Sequence, residues 1–211
     1  MPRDVLLLEE FYDRKTEEVA VDLLGKIFVR RVDGRKLLGR IVEVEAYLWE
    51  HDEAAHAVAG KTNRTQILYG PSGHAYIFRL RAHHCLNVVA EPENSPGCVL
   101  IRALEPLNYH DYLKENRRKR PHFRIEDLCN GPGKLCQSFK INLDQYGIDL
   151  KSLESEMYII EPYDKIDFDV LITKRIGITK HADWEQRYII AENSYVSGNK
   201  RTNVGQILKR S

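Results

Sequence analysis

The sequence predicts an α+β fold. A helical stretch over residues 9–24 runs straight into a hairpin turn at Asp33-Gly34, and strand-like segments recur from there down to Tyr188-Ile-Ile. The chain has 211 residues, 43% of them hydrophobic and 30% charged, which predicts a globular protein with one domain over residues 1–211 and a sizeable core.

In the first helical stretch, Val19, Leu23 and Leu24 supply the apolar spacing, and Gly25 is placed to close it. Ile27 to Val32 reads as a strand, and Leu37 leads into its hairpin partner. Further strands are expected at Ala75 to Leu80, Cys85 to Ala90, Cys98 to Pro106, Tyr158-Ile-Ile, Val170-Leu-Ile and Tyr188-Ile-Ile. Helices are expected over Leu107 to Asn116 and after the Asn130-Gly-Pro-Gly-Lys134 turn.

Composition excludes several classes. No run of eighteen apolar residues occurs, so no membrane span is expected. The opening apolar run is too short for a secretory signal. Cys85, Cys98, Cys129 and Cys136 form no CxxC pair and read as reduced thiols of a cytoplasmic protein. A net charge of +1 means that any nucleic-acid binding must come from a local patch.

Residues 39–56 are the most informative stretch. Val42, Val44, Ala46 and Leu48 fall on one side at period two, and Ile41, Glu43, Glu45 and Tyr47 on the other. Two carboxylates beside a tyrosine suit acid–base work on a flat ligand, although charges on an outer strand face are also ordinary solvated residues. Downstream, Gly60-Lys61-Thr62-Asn63-Arg64-Thr65 has cations, hydroxyls and no apolar period, as a phosphate-contacting loop would. Asn87 interrupts an apolar strand and must satisfy its amide. Arg102 does the same and needs a carboxylate from a neighbouring strand. The 117–124 window is the most basic in the chain. Glycines before Lys134 make an anion site at a helix start plausible, without the spacing of a nucleotide P-loop. His83-His84-Cys85 is a poor metal set, because neighbours on a strand point to opposite faces.

Three groups of residues then combine: Glu43-Val-Glu-Ala-Tyr47 with Asp52-Glu-Ala-Ala-His56, Tyr76-Ile-Phe78 with Cys85-Leu-Asn87, and Cys98-Val-Leu-Ile-Arg-Ala-Leu-Glu-Pro106 with Asn130-Gly-Pro-Gly-Lys-Leu-Cys-Gln137. Together they resemble the alkyladenine (3-methyladenine) DNA glycosylase family over nearly the whole chain. The resemblance implies a curved, mostly antiparallel sheet with flanking helices. It also implies hydrolysis of the N-glycosidic bond of a damaged purine flipped out of double-stranded DNA. By the same resemblance Glu45 is the general base and Arg102 the cation paired near the catalytic water and the target phosphate. Tyr47, His56 and Phe78 wall the base pocket, with Phe78 where the family usually has Tyr, and Asn87 crowds its floor. No lysine in the Glu45 stretch offers a Schiff-base nucleophile, so a monofunctional enzyme is expected, with no cofactor and no metal, acting as a monomer. The hairpin tip Arg79-Leu80-Arg81-Ala82 lacks the family's tyrosine, leaving Leu80 and Arg81 as candidate wedges; Lys61, Arg64 and Lys134 are candidate DNA contacts.

Overall fold

The computed structural model describes residues 3–118 and 123–210, so the centre of the basic window, residues 119–122, lies outside the described residues. The strands are β1 (Ile27–Val32), β2 (Arg35–Tyr47), β3 (Ala75–Leu80), β4 (His83–Ala90), β5 (Gly97–Pro106), β6 (Met157–Ile160), β7 (Val170–Thr173), β8 (Arg187–Ile190) and β9 (Gln206–Leu208). They form one open sheet in the order β3-β4-β5-β2-β8-β7-β9, with β1 added to β2 and β6 to β1. Every pairing is antiparallel, as expected of an α+β chain. The helices are α1 (Glu9–Tyr12), α2 (Thr16–Leu23), α3 (His110–Asn116) and α4 (Pro132–Ser138). Among the described residues no helix is long and apolar enough to cross a membrane.

Two expectations at the start of the chain meet different outcomes. The stretch over 9–24 is two helices, not one. Lys15 is extended (φ −51, ψ 136), and Thr16 turns inward to donate its N–H and hydroxyl to the Glu91 carboxylate at 3.2 and 2.5 Å, which starts the second helix afresh. The hairpin is as read: Asp33 (φ 49) and Gly34 (φ 68) are both left-handed, Val32 pairs with Arg35, and the result is a two-residue turn matched to strand twist. Gly25, past the end of α2, has φ +85, and a Cβ there would lie 2.9 Å from the Phe168 ring.

β2 is where the sheet forks. Its first half pairs with β1 and its second half with β8, while β5 runs along the other edge from Gly39 to Tyr47. At the fork the β2–β5 register breaks twice, between Ile41 and Glu43 and between Glu43 and Val44. The two breaks cancel: Ile41 pairs with Leu104 before them and Val44 with Ile101 after. Each strand therefore puts two consecutive residues into the main core, Ile41 and Val42 from β2, Ala103 and Leu104 from β5. This corrects the simple alternation, which set Ile41 on the carboxylate side. Beyond the fork the phase is clean. Val42, Val44 and Ala46 enter the main core with Leu86, Val88, Val99 and Ile101. The opposite face carries Glu43, Glu45 and Tyr47 of β2, Arg102 of β5, Asn87 of β4 and Tyr76 and Phe78 of β3. A second cluster, Ala57, Leu68, Tyr76, Val89 and Cys98, supports that face.

Candidate active site

The face so built is not solvated. Glu43 and Glu45 are both completely buried, which removes the reading of a wet outer strand. Six charged groups are sequestered here: the carboxylates of Glu43, Glu45 and Asp52 and the guanidiniums of Arg102, Arg175 and Arg187, none more than 7% exposed. Three negative and three positive charges balance, as a buried set must.

Arg102 has the carboxylate partner its burial demanded, and it has two. Its Nε donates to Glu43 Oε1 at 2.9 Å, and its Nη1 lies 3.2 Å from Glu45 Oε1. Burial works against its charge, but Glu45 and Glu43 raise its pKa above the ordinary arginine value. Arg187 donates Nε to the same Glu43 oxygen at 2.7 Å. Burial pushes the Glu43 carboxyl up, but the two guanidiniums and the Ser197 donors hold it below the usual carboxylate range. Glu45 accepts the Ile176 N–H on Oε1 at 2.7 Å and the Tyr47 hydroxyl on Oε2 at 2.8 Å. Burial and the neighbouring Glu45 push the Tyr47 hydroxyl far up, so it remains a donor.

In front of this cluster lies a cavity of about 200 Å³. That is below the ~300–1,000 Å³ of pockets for drug-sized ligands and suits a single flat ring system. Tyr47, His56, Tyr76, Phe78, Asn87 and Arg102 line it, with the 176–178 segment, Leu80 and Pro132 also contributing. His56 meets Phe78 edge to face at 4.4 Å and shares a 2.7 Å hydrogen bond with the Tyr76 hydroxyl. Burial, with the nearby Arg64 charge, drops its pKa to about 4, so it is a neutral wall at physiological pH. Asn87 donates Nδ2 to the Tyr76 carbonyl at 2.9 Å, which fixes its amide. Glu45 itself is not part of the cavity wall; it sits behind Tyr47 and Arg102, which are.

The candidate DNA contacts are dispersed. Lys61 and Arg64 lie in the exposed loop after His56, Lys61 over the Tyr69 ring at 6.0 Å. Leu80 is 57% exposed while reaching the cavity, whereas Arg81, at the hairpin tip with φ +55, does not line it. Lys134 donates to Asn130 Oδ1 at 2.7 Å. It sits in a seven-residue helix whose Pro132 touches the cavity and whose Gly133 packs under His83, 2.8 Å from where a Cβ would be.

Several partnerships here had no signal in the sequence. Asp52 grips Arg175 with both oxygens (2.6 and 2.8 Å), and Arg175 covers the Tyr47 ring at 4.7 Å from its centroid. The partners are 123 positions apart, beyond the reach of any local pattern. The same holds for Arg187 and Ser197 on Glu43.

A family model described as "Methylpurine-DNA glycosylase (MPG)" matches residues 10–194. A Clostridium acetobutylicum protein named "Putative 3-methyladenine DNA glycosylase" is 40% identical over 205 residues, 94% of this chain and 97% of its own length. Proteins of the same name from Koribacter versatilis and Chlorobium phaeobacteroides (strain DSM 266) are 40% and 42% identical, covering 95% and 90% of this chain and 99% and 95% of theirs. On a match of that extent, and on relatives that align end to end with it, the chain belongs to the methylpurine-DNA glycosylase family.

Proposed function

We propose that this DNA repair glycosylase takes an alkylated or deaminated purine out of duplex DNA and hydrolyses its N-glycosidic bond with Glu45 as general base, leaving an abasic site. A base inside the duplex is out of reach, and rotating it out costs a few kcal/mol, least where damage has weakened pairing. Stacking on aromatic walls returns about 1–3 kcal/mol. Tyr47 supplies one wall, and His56 with Phe78 the other. Neutral His56 does not repel an alkylpurine that carries positive charge. Asn87 crowds the floor against bulkier normal bases.

In the chemical step Glu45 takes a proton from water as the water oxygen bonds to the sugar C1′. The C1′–N bond breaks and its electron pair leaves with the purine. Arg102 pairs with Glu45 at 3.2 Å and orients it for that step. No lysine lines the cavity among the described residues, which favours water as the nucleophile and a monofunctional reaction. One observation carries the reading: the Tyr47 ring that walls the cavity donates its hydroxyl to Glu45, so the base pocket and the buried carboxylate are one unit.

Leu80 is the better wedge, being apolar, exposed and at the cavity. Lys61, Arg64, Arg81 and Lys134 are proposed to meet the phosphates, Lys134 by exchanging its bond to Asn130. Each chain carries a complete cavity, in keeping with a cytoplasmic monomer acting on DNA. Single-turnover base release from duplexes carrying hypoxanthine or 7-methylguanine tests the reading. Wild type should release base, and Glu45→Gln should bind the same DNA without release. Binding with no release by the wild type from either duplex would favour a protein that only recognises damage.

A further inference from the structure

Residues past 194 lie outside the family match, yet they return across the buried charges. Ser197, 6% exposed, donates its N–H to Glu43 Oε2 at 2.5 Å and its hydroxyl to Glu43 Oε1 at 2.7 Å. Its hydroxyl oxygen also accepts from Arg102 Nη2 at 3.4 Å. Its carbonyl accepts from Arg187 Nη2 at 3.1 Å and from Asn203 Nδ2 at 3.2 Å. Asn203 Oδ1 and the Thr202 carbonyl take the rest of the Arg187 guanidinium, at 2.9 and 3.1 Å. β9 then pairs with β7 and closes the strap.

This arrangement fixes the plane of Arg102. A guanidinium is a rigid fork, so holding two of its nitrogens aims the third. Here Nε is held by Glu43 and Nη2 by Ser197, and Nη1 is aimed at Glu45, with the Ile176 carbonyl also accepting from it at 3.4 Å. Glu43 can do this only while its own two oxygens are pinned. Arg187 and Ser197 pin them.

We infer that Ser197 is a positioning residue for the reaction: by holding Glu43 it holds the Arg102 plane against Glu45, which makes the strap of residues 197–203 part of the active site. The inference rests on the reading of Glu45 as the base. The charged groups that face Glu43 are Arg102 from β5, Arg187 from β8 and Glu45 two residues along its own strand, and the strap adds the Ser197 donors.

The test compares wild type, Ser197→Ala, Ser197→Thr and Glu45→Gln by single-turnover base release across pH, with lesion-duplex affinity measured separately. Ser197→Ala should slow release about tenfold to a hundredfold, the effect of losing a hydrogen bond to a charged group, with affinity unchanged. The acid limb of its rate profile should move to higher pH, because Glu43 loses a donor that favours its ionised form. Ser197→Thr keeps the hydroxyl and should restore both. If Ser197→Ala matches wild type at every pH while Glu45→Gln is dead, Ser197 has no such role and the base assignment stands. Slowing that is uniform in pH, with weakened binding and no rescue by Thr, would make the strap a matter of folding alone. An active Glu45→Gln would remove the base and this inference together. Should Ser197→Ala melt below the assay temperature, Asn203→Ala, which loosens Arg187 and the Ser197 carbonyl, takes its place and should show the same shifted acid limb; an unshifted limb counts against the inference.

Discussion

The Tyr47 hydroxyl donates to Glu45 Oε2 at 2.8 Å while Arg175 covers the same ring at 4.7 Å. One side chain thus walls the cavity, touches the buried carboxylate and closes over a cation. The first two of these contacts can be separated. Tyr47→Phe keeps the stacking surface and removes the hydrogen bond, so base release should slow about tenfold, the scale of one bond to a charged group, with lesion affinity retained. Tyr47→Ala removes the wall as well and should weaken binding by about 1–3 kcal/mol. Fluorescence anisotropy and single-turnover release distinguish the two. Equal losses of affinity would show that the hydroxyl and the ring do not act separately.

His56 makes a prediction about acid stability. Its pKa falls from 6.5 to about 4 in the folded chain. Between those values the unfolded state binds more protons, so stability rises with pH across the window and is lost as pH drops through it. Melting temperature should therefore fall on acidification from pH 6.5 toward 4, less steeply in His56→Phe. Parallel curves for the two proteins would place the acid sensitivity elsewhere.

Asp52 and Arg175 are a buried bidentate pair. Removing one partner strands the other charge, so Arg175→Leu should destabilise the fold by about 3–5 kcal/mol. Replacing both, as Asp52→Leu with Arg175→Met, should recover most of that. Urea unfolding of the three proteins measures it. A double variant no more stable than Arg175→Leu would mean that the Asp52 bonds to the Leu48 and Ala54 amides matter more than its charge partner.

At the hairpin tip the two candidates predict different signatures. Leu80→Ala should slow release from a well-paired duplex more than from one with a mismatched lesion, because a wedge acts against stacking. Arg81→Ala should instead flatten the salt dependence of binding by about one phosphate's worth, a change near 0.9 in the log–log slope. The reverse pattern would exchange their roles.

What the sequence discloses and what it hides divide along physical lines. The hairpin at Asp33-Gly34 was legible because both left-handed positions are written in residue type. The need of Arg102 for a strand-borne carboxylate was legible from the cost of burying an unpaired cation. The site face of β2 was legible at Glu43, Glu45 and Tyr47, where the period of two holds. It misled at Ile41, because a bulge is a property of two paired strands and neither strand's sequence states it. The helix break before Thr16 escaped for the same reason, since its cause is Glu91, 75 positions away. Arg175, Arg187 and Ser197 arrive from the last forty residues, and only the fold brings them to β2.

The double break in register between β2 and β5 has a consequence for how this chain can change length. The slip in one strand is cancelled by the slip in the other, so the two strands keep a common frame on both sides of the fork. Deleting a single residue from either strand there would leave the frame uncompensated. From that point on, one strand would exchange its inner and outer faces, sending valines into the cavity and carboxylates into the apolar interior. Insertions and deletions at this point are therefore tolerable only as matched pairs, one in each strand, and an engineer shortening the sheet would have to cut both or neither.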